Sequence, residues 1–148
     1  MTKEERQLLL NDLCGRLPYG LNVSFKYNGH YCRGTVISVG YGVTQSCDLG
    51  IWPFDKEYNY VNPKDIVYIN IDEVCRLFLR PPSSMTEEER SNLRVYCGTQ
   101  EGITYDIGVA GAINSPAVID FLNAHYFDYR GLIEKGLAFE APEGMYKK

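Results

Sequence analysis

The stretch "LNVSFKYNGHYCRGTVISV", residues 21–39, decides the fold class. Leu21, Val23, Phe25 and Tyr27 alternate with Asn22, Ser24 and Lys26, the period-two pattern of a strand with one face in a core. Asn28-Gly29 follows. A two-residue type I′ turn needs positive φ at both central positions, and this pair adopts it at the least cost. The chain then resumes at His30 and runs to about Val39 as the partner strand. A hairpin of this kind predicts an antiparallel sheet, and the flanking segments are read against it.

Upstream, Thr2 and Glu5 have the spacing of a capping box. Leu10, Leu13, Cys14 and Leu17 recur at helical spacing, with Arg6, Gln7, Asn11 and Asp12 opposite. The expectation is an amphipathic helix with those polar residues in solvent, stopped at Pro18-Tyr19-Gly20. Downstream, Gly40-Tyr41-Gly42 predicts a turn and residues 43–47 a third strand. Asp48 to Phe54 reads as an aromatic loop, and Asn62-Pro63-Lys64-Asp65 as a turn. Ile66 to Ile71 is β-branched and predicts a strand. Val74 to Leu79 either extends the sheet or turns against it. Short strands joined by tight turns suggest a small antiparallel sheet, or a partly open barrel resembling the SH3 type.

Pro81-Pro82-Ser83-Ser84 breaks this pattern. Thr86 and Glu89 repeat the capping-box spacing and open a helix over about 86–96. Residues 98–114 are glycine-punctuated, with Ile103, Tyr105 and Ile107 alternating as in a short strand. Ser115-Pro116 starts another helix, with Val118, Phe121, Leu122 and His125 on one face, and a packed tail closes the chain. The fold class is α+β in one domain over 1–148. The N-terminal helix and sheet take about 1–80. The helical remainder is too small for a core of its own.

The chain has 148 residues, 45% hydrophobic and 23% charged, enough for a core without disulfides or metal. Net charge is −4, and the two halves are alike in balance. Nucleic-acid binding is disfavoured by this acidic balance and by the lack of a basic patch in the sequence, although a fold could still assemble one. Twelve tyrosines accompany a single tryptophan, side chains suited to binding surfaces. The cysteines Cys14, Cys32, Cys47, Cys75 and Cys97 are odd in number and irregularly spaced, which fits reduced, mostly buried thiols. No C-x-x-C occurs and only His30 and His125 are present, so neither a metal site nor a cofactor is expected. No signal peptide or membrane span is read, and the expected location is the cytoplasm.

Three segments carry a resemblance. "LLLNDLCGRLPYG", "RPPSSMTEEE" and "HYFDYRGLIEKGLAFEA" together resemble a family of small proteins found in gut bacteria of the Bacteroides type and in their phages and mobile elements. Residues 40–65 match it least. The resemblance implies a bacterial or phage origin and brings no catalytic residues with it.

Candidate sites follow from chemistry. Asp128-Tyr129-Arg130-Gly131 presents a planar cation and a phenol suited to an anionic ligand or a partner protein. The reading preferred for this stretch is that Asp128 and Arg130 bond backbone or each other while Gly131 takes a conformation other residues avoid, finishing the fold. Trp52-Pro53-Phe54 is either a recognition loop or a cover over the sheet's open end. His30 and Cys32 share one side of a strand, and His125 sits three residues from Asp128. A hydrolase or transferase would need His125, Asp128, Arg130 and Cys32 to converge. The reading preferred from sequence is a non-enzymatic binding or protein-interaction protein. Trp52, Phe54, Asp128, Tyr129 and Arg130 are its candidate contacts, and its partner is a protein or small anionic ligand.

Overall fold

A computed structural model describes residues 1–41, 47–53, 65–72, 76–97 and 116–146. The predicted strand at 103–107, most of the 43–47 strand, the 62–65 turn up to Lys64, and Phe54 lie outside the described residues.

The hairpin forms as predicted. β1 (Asn22–Tyr27) pairs antiparallel with β2 (His30–Tyr41), with Tyr27 opposite His30. Asn28 and Gly29 both take positive φ, 48° and 85°, as a type I′ turn requires. β2 pairs on its other side with β3 (Cys47–Pro53), and β3 with β4 (Val67–Asn70). β5 (Arg76–Leu79) adds to the free side of β1, and β6 (Ala138–Glu140) from the chain's end adds to β5. The order is β4-β3-β2-β1-β5-β6, an open sheet that does not close into a barrel. It is mixed, because β6 runs parallel to β5.

The aromatic loop read at 48–54 is corrected: residues 47–53 are strand β3. Gly50 and Pro53 suggest a breaker-rich loop, yet Leu49 and Ile51 are fully buried on the core face of β3. The chain tolerates Gly50 because the register shifts there. Val36 pairs with Ile51 and Ser38 with Gly50, leaving Ile37 as a bulge. A Cβ at Gly50 would come within 2.2 Å of Ser38 Oγ.

α1 (Lys3–Arg16) carries the predicted capping box, with Thr2 and Glu5 exchanging hydrogen bonds of 2.7 and 3.1 Å. Its predicted faces need correction. Leu9 and Leu13 enter the core, Cys14 is exposed, and Asp12 and Arg16 are fully buried. α2 (Glu87–Cys97) and α3 (Pro116–Ala124) start where the caps predict. Thr86 and Glu89 make the second reciprocal pair, at 2.8 and 3.2 Å. No described helix is long and apolar enough to cross a membrane.

Two apolar clusters result. One joins Leu9 and Leu13 of α1 to the inner face of the sheet through Phe25, Leu49, Ile51 and Leu77. The other gathers Met85, Leu93, Val118, Phe121, Leu122 and Phe127 around α2 and α3. Arg80 fastens the second to the sheet. Its guanidinium makes two bonds to the Glu89 carboxylate, 2.7 and 2.9 Å, and lies over the Phe127 ring at 4.4 Å. Burial raises the Glu89 carboxyl, and the bonds from Arg80 and the Thr86 backbone outweigh it, so the group titrates below its ordinary 4.5. A depressed folded-state value gives stability that is present above the unfolded value and is lost as pH falls through the folded one. Wild type is therefore expected to lose more Tm below pH 4.5 than Glu89→Gln does. Parallel Tm–pH curves for the two would remove this pair from the acid response.

Candidate binding surface on the open sheet

The Asp128-Tyr129-Arg130-Gly131 stretch is consumed by the fold. The Asp128 carboxylate accepts from the backbone N–H groups of Leu132 and Ile133, both at 2.8 Å, and is buried. Gly131 takes φ +68°, which L side chains avoid. Tyr129 donates to Asn123 Oδ1 at 3.0 Å, and the Arg130 guanidinium lies over the Tyr129 ring at 4.9 Å. Arg130 also lies 3.3 Å from the Asp12 carboxylate. The arrangement closes a tight turn and returns Leu132, Leu137 and Ala138 to the sheet. Asp128→Ala should cost about 2–3 kcal/mol, since one buried and one part-buried N–H group lose a charged acceptor. Chemical denaturation measures it, and a loss under ~0.5 kcal/mol would contradict this role.

The groups a hydrolase would need are placed apart in function and in packing. His125 Nδ1 is 2.9 Å from the Phe121 carbonyl and its ring stacks on Phe121 at 4.1 Å. Asp128 spends both oxygens on backbone. Cys32 is buried in the sheet's apolar cluster, while Phe121, beneath His125, belongs to the other. Among the described residues no group of three or more His, Cys, Asp or Glu could hold a metal.

The outer face of the sheet is different. Alternation places Val23, Phe25, Cys32, Val36, Leu49, Ile51, Val67, Ile69 and Leu77 inward. The intervening residues face out. Tyr31 on β2 is 63% exposed, Trp52 on β3 55%, Tyr68 on β4 68% and Phe139 on β6 50%. These aromatics are on one face by register: Trp52 is opposite Thr35, Tyr68 opposite Gly50, and Phe139 opposite Phe78. Between them stand Ser24, Thr35, Ser38 and Asn70. Among the described residues of this face Lys26, Arg33 and Arg76 are basic and Asp48 is acidic. Lys26 sits opposite Tyr31, and Ser24 is opposite Arg33 on one side and Arg76 on the other. Ser24, Tyr31, Arg76 and Phe139 enclose an open trough of about 380 Å³. The short Ser24 side chain forms its floor, with an aromatic ring on either side.

The tail stabilises this face from one end. Tyr146 Oη accepts from the Asn22 N–H at 3.2 Å and donates to the Phe78 carbonyl at 2.7 Å. It thus takes the place of a ladder bond where the β1–β5 pairing ends at Val23 and Leu77. Its ring stacks on Tyr126 with centroids 3.6 Å apart, and burial pushes its hydroxyl pKa well up.

Of the residues singled out in sequence, Trp52 belongs to this surface, while Asp128, Tyr129 and Arg130 do not. Tyr31, Tyr68, Phe139, Lys26, Arg33 and Arg76 were missed. The signal available was strand parity, since each falls between core positions of its strand. Set against family models, curated proteins and solved structures, the chain matches none.

Proposed function

We propose that this is a non-enzymatic binding protein whose contact surface is the outer face of the sheet. The observation that carries the proposal is the exposure of Tyr31, Trp52, Tyr68 and Phe139 on one face, 50–68% each. Exposed aromatic groups collected on one rigid face are suited to recognition rather than to folding. The partner is a protein or an anionic ligand, because among the described residues the basic side chains on this face outnumber the acidic ones. A cytoplasmic protein of a gut bacterium, its phage or mobile element suits the resemblance of its three segments. The interior carries the opposite chemistry: Asp128 bonds backbone N–H groups, and the buried Arg16 bonds Asp12 and two backbone carbonyls.

The test compares wild type with a Tyr31→Ser/Tyr68→Ser variant, both purified from the same expression host, by native mass spectrometry. Both changes are on exposed positions, so Tm should move by less than about 1 kcal/mol equivalent. Wild type is expected to carry added noncovalent mass that the variant lacks. The same added mass on both proteins, or none on either, would count against the face as the binding surface.

A further inference from the structure

We infer that the outer face of the sheet binds single-stranded nucleic acid, with bases stacked on its aromatic rings and phosphates held by its basic side chains. The inference rests on the reading of this face as the binding surface and names its partner.

Sequence order hides the basic patch and the fold assembles it. Lys26, Arg33 and Arg76 are far apart along the chain in charge-balanced surroundings, yet β1 brings them together. Lys26 pairs with Tyr31, and Ser24 lies between Arg33 and Arg76 in adjacent strands. An acidic protein of net charge −4 thus gathers three basic side chains among the described residues of one stretch of the sheet, chemistry suited to a phosphate backbone.

The spacing of the rings favours a strand over a smaller anion. Tyr68 is on β4 and Phe139 on β6, at opposite edges of the six-stranded order. Five strand intervals of ~4.8 Å put them about 24 Å apart. One nucleotide cannot cover that span, and several consecutive ones can. Stacking platforms set along a basic groove are how proteins hold single strands with little sequence preference. A four-stranded sheet with aromatic rings on its open face is one established geometry for this.

The composition between the rings favours nucleic acid over a protein partner. The buried core of a protein interface is more apolar than the rest of the surface and is depleted in serine. Here Phe139 packs on Phe78 with centroids 5.9 Å apart, and the other rings are interspersed with Ser24, Thr35, Ser38 and Asn70, short hydrogen-bonding groups that suit base edges and sugars. Duplex is a poor fit, because its bases are already stacked and offer no faces to the rings.

Trp52 is the only tryptophan in the chain, so intrinsic fluorescence reports on this face directly. The experiment titrates full-length protein with twelve-nucleotide oligo(dT) and oligo(U), the matching duplex, and a polyglutamate peptide. Quenching by the single strands is expected at micromolar concentration in ~50 mM salt. The affinity should fall at least about threefold between ~50 and ~200 mM salt, the value for one phosphate contact on a single strand. Tyr31→Ala should weaken binding about tenfold. Lys26→Gln should flatten the salt dependence by roughly one contact, a change that a merely structural role would not produce. Absence of quenching up to ~1 mM oligonucleotide overturns the inference, as that exceeds the usual non-specific range. Equal or stronger quenching by polyglutamate or duplex also overturns it and leaves the face standing as a general anion surface. Oligonucleotide binding that changes neither Trp52 fluorescence nor with Tyr31→Ala overturns both the inference and the choice of face.

Discussion

Arg16→Ala is expected to cost about 3–5 kcal/mol of folding free energy, the range for breaking a buried ion pair by removing one partner. Arg16 and Asp12 are both fully buried. Arg16 Nε donates to Asp12 Oδ2 at 2.7 Å and a terminal nitrogen to Oδ1 at 3.1 Å. The same guanidinium reaches the Phe127 carbonyl at 2.7 Å and the Leu122 carbonyl at 3.4 Å. One side chain therefore connects α1, which packs on the sheet, to the end of α3, which packs in the other cluster. Without it Asp12 keeps only Arg130, whose Nε is 3.3 Å away and makes no hydrogen bond. Asp12→Ala should be similarly costly, as it strands a buried cation. The double variant Asp12→Leu/Arg16→Met should recover much of the loss, because the desolvation of both charges disappears with them. Urea denaturation of wild type and the three variants measures each cost. A cost below ~1 kcal/mol for Arg16→Ala would mean the pair does not join the two clusters. By contrast the Arg6–Asp72 pair, with side chains 44% and 39% exposed, should contribute little and weaken with salt.

That buried pair also shows where sequence reading stops. Asp12 and Arg16 are four apart on a helix, and the spacing alone is that of an ordinary surface pair. Their burial depends on where residues 122–130 return, which no local pattern states. The hairpin, both capping boxes and the β4 strand were legible because each is fixed by neighbours within a few residues. β3 was not, because Gly50 and Pro53 are breakers by propensity and the bulge that accommodates Gly50 is made with a different strand. The parallel β6 was equally hidden: Ala138 joins the sheet because the Asp128 turn aims it there. The outer face follows the same rule. Trp52 could be singled out as a lone tryptophan, whereas Tyr31, Tyr68 and Phe139 become one surface only when all six strands are in register. The basic stripe was invisible for that reason too, since charge along the chain averages out what β1 brings together.

Phe127→Ala is expected to destabilise by about 3–5 kcal/mol, the range for deleting a fully buried aromatic ring. Phe127 is 0% exposed, and its neighbours depend on it in separate ways. The backbone N–H donates to the Leu122 carbonyl at 3.0 Å, and its own carbonyl receives Arg16 at 2.7 Å. On either side, the Arg80 N–H donates to Tyr126 and the Asp128 N–H to Arg80, both at 2.8 Å. Truncation keeps these backbone groups but removes the ring on which Arg80 rests at 4.4 Å. The expected consequence beyond the cavity is a weaker Arg80–Glu89 pair, so a Phe127→Ala/Glu89→Gln cycle should show coupling of roughly 0.5–1 kcal/mol. Phe127→Leu, which refills most of the volume, should cost about half as much or less. Phe139→Ala on the outer face supplies the contrast. That ring is 50% exposed, and its loss should cost under ~1 kcal/mol. If the outer face is a binding surface, Phe139→Ala lowers affinity at nearly unchanged stability, while Phe127→Ala lowers stability and leaves the affinity of the folded fraction as it was. A protein in which both variants moved both quantities together would have no separation between scaffold and surface, and the division of labour argued from burial would be wrong.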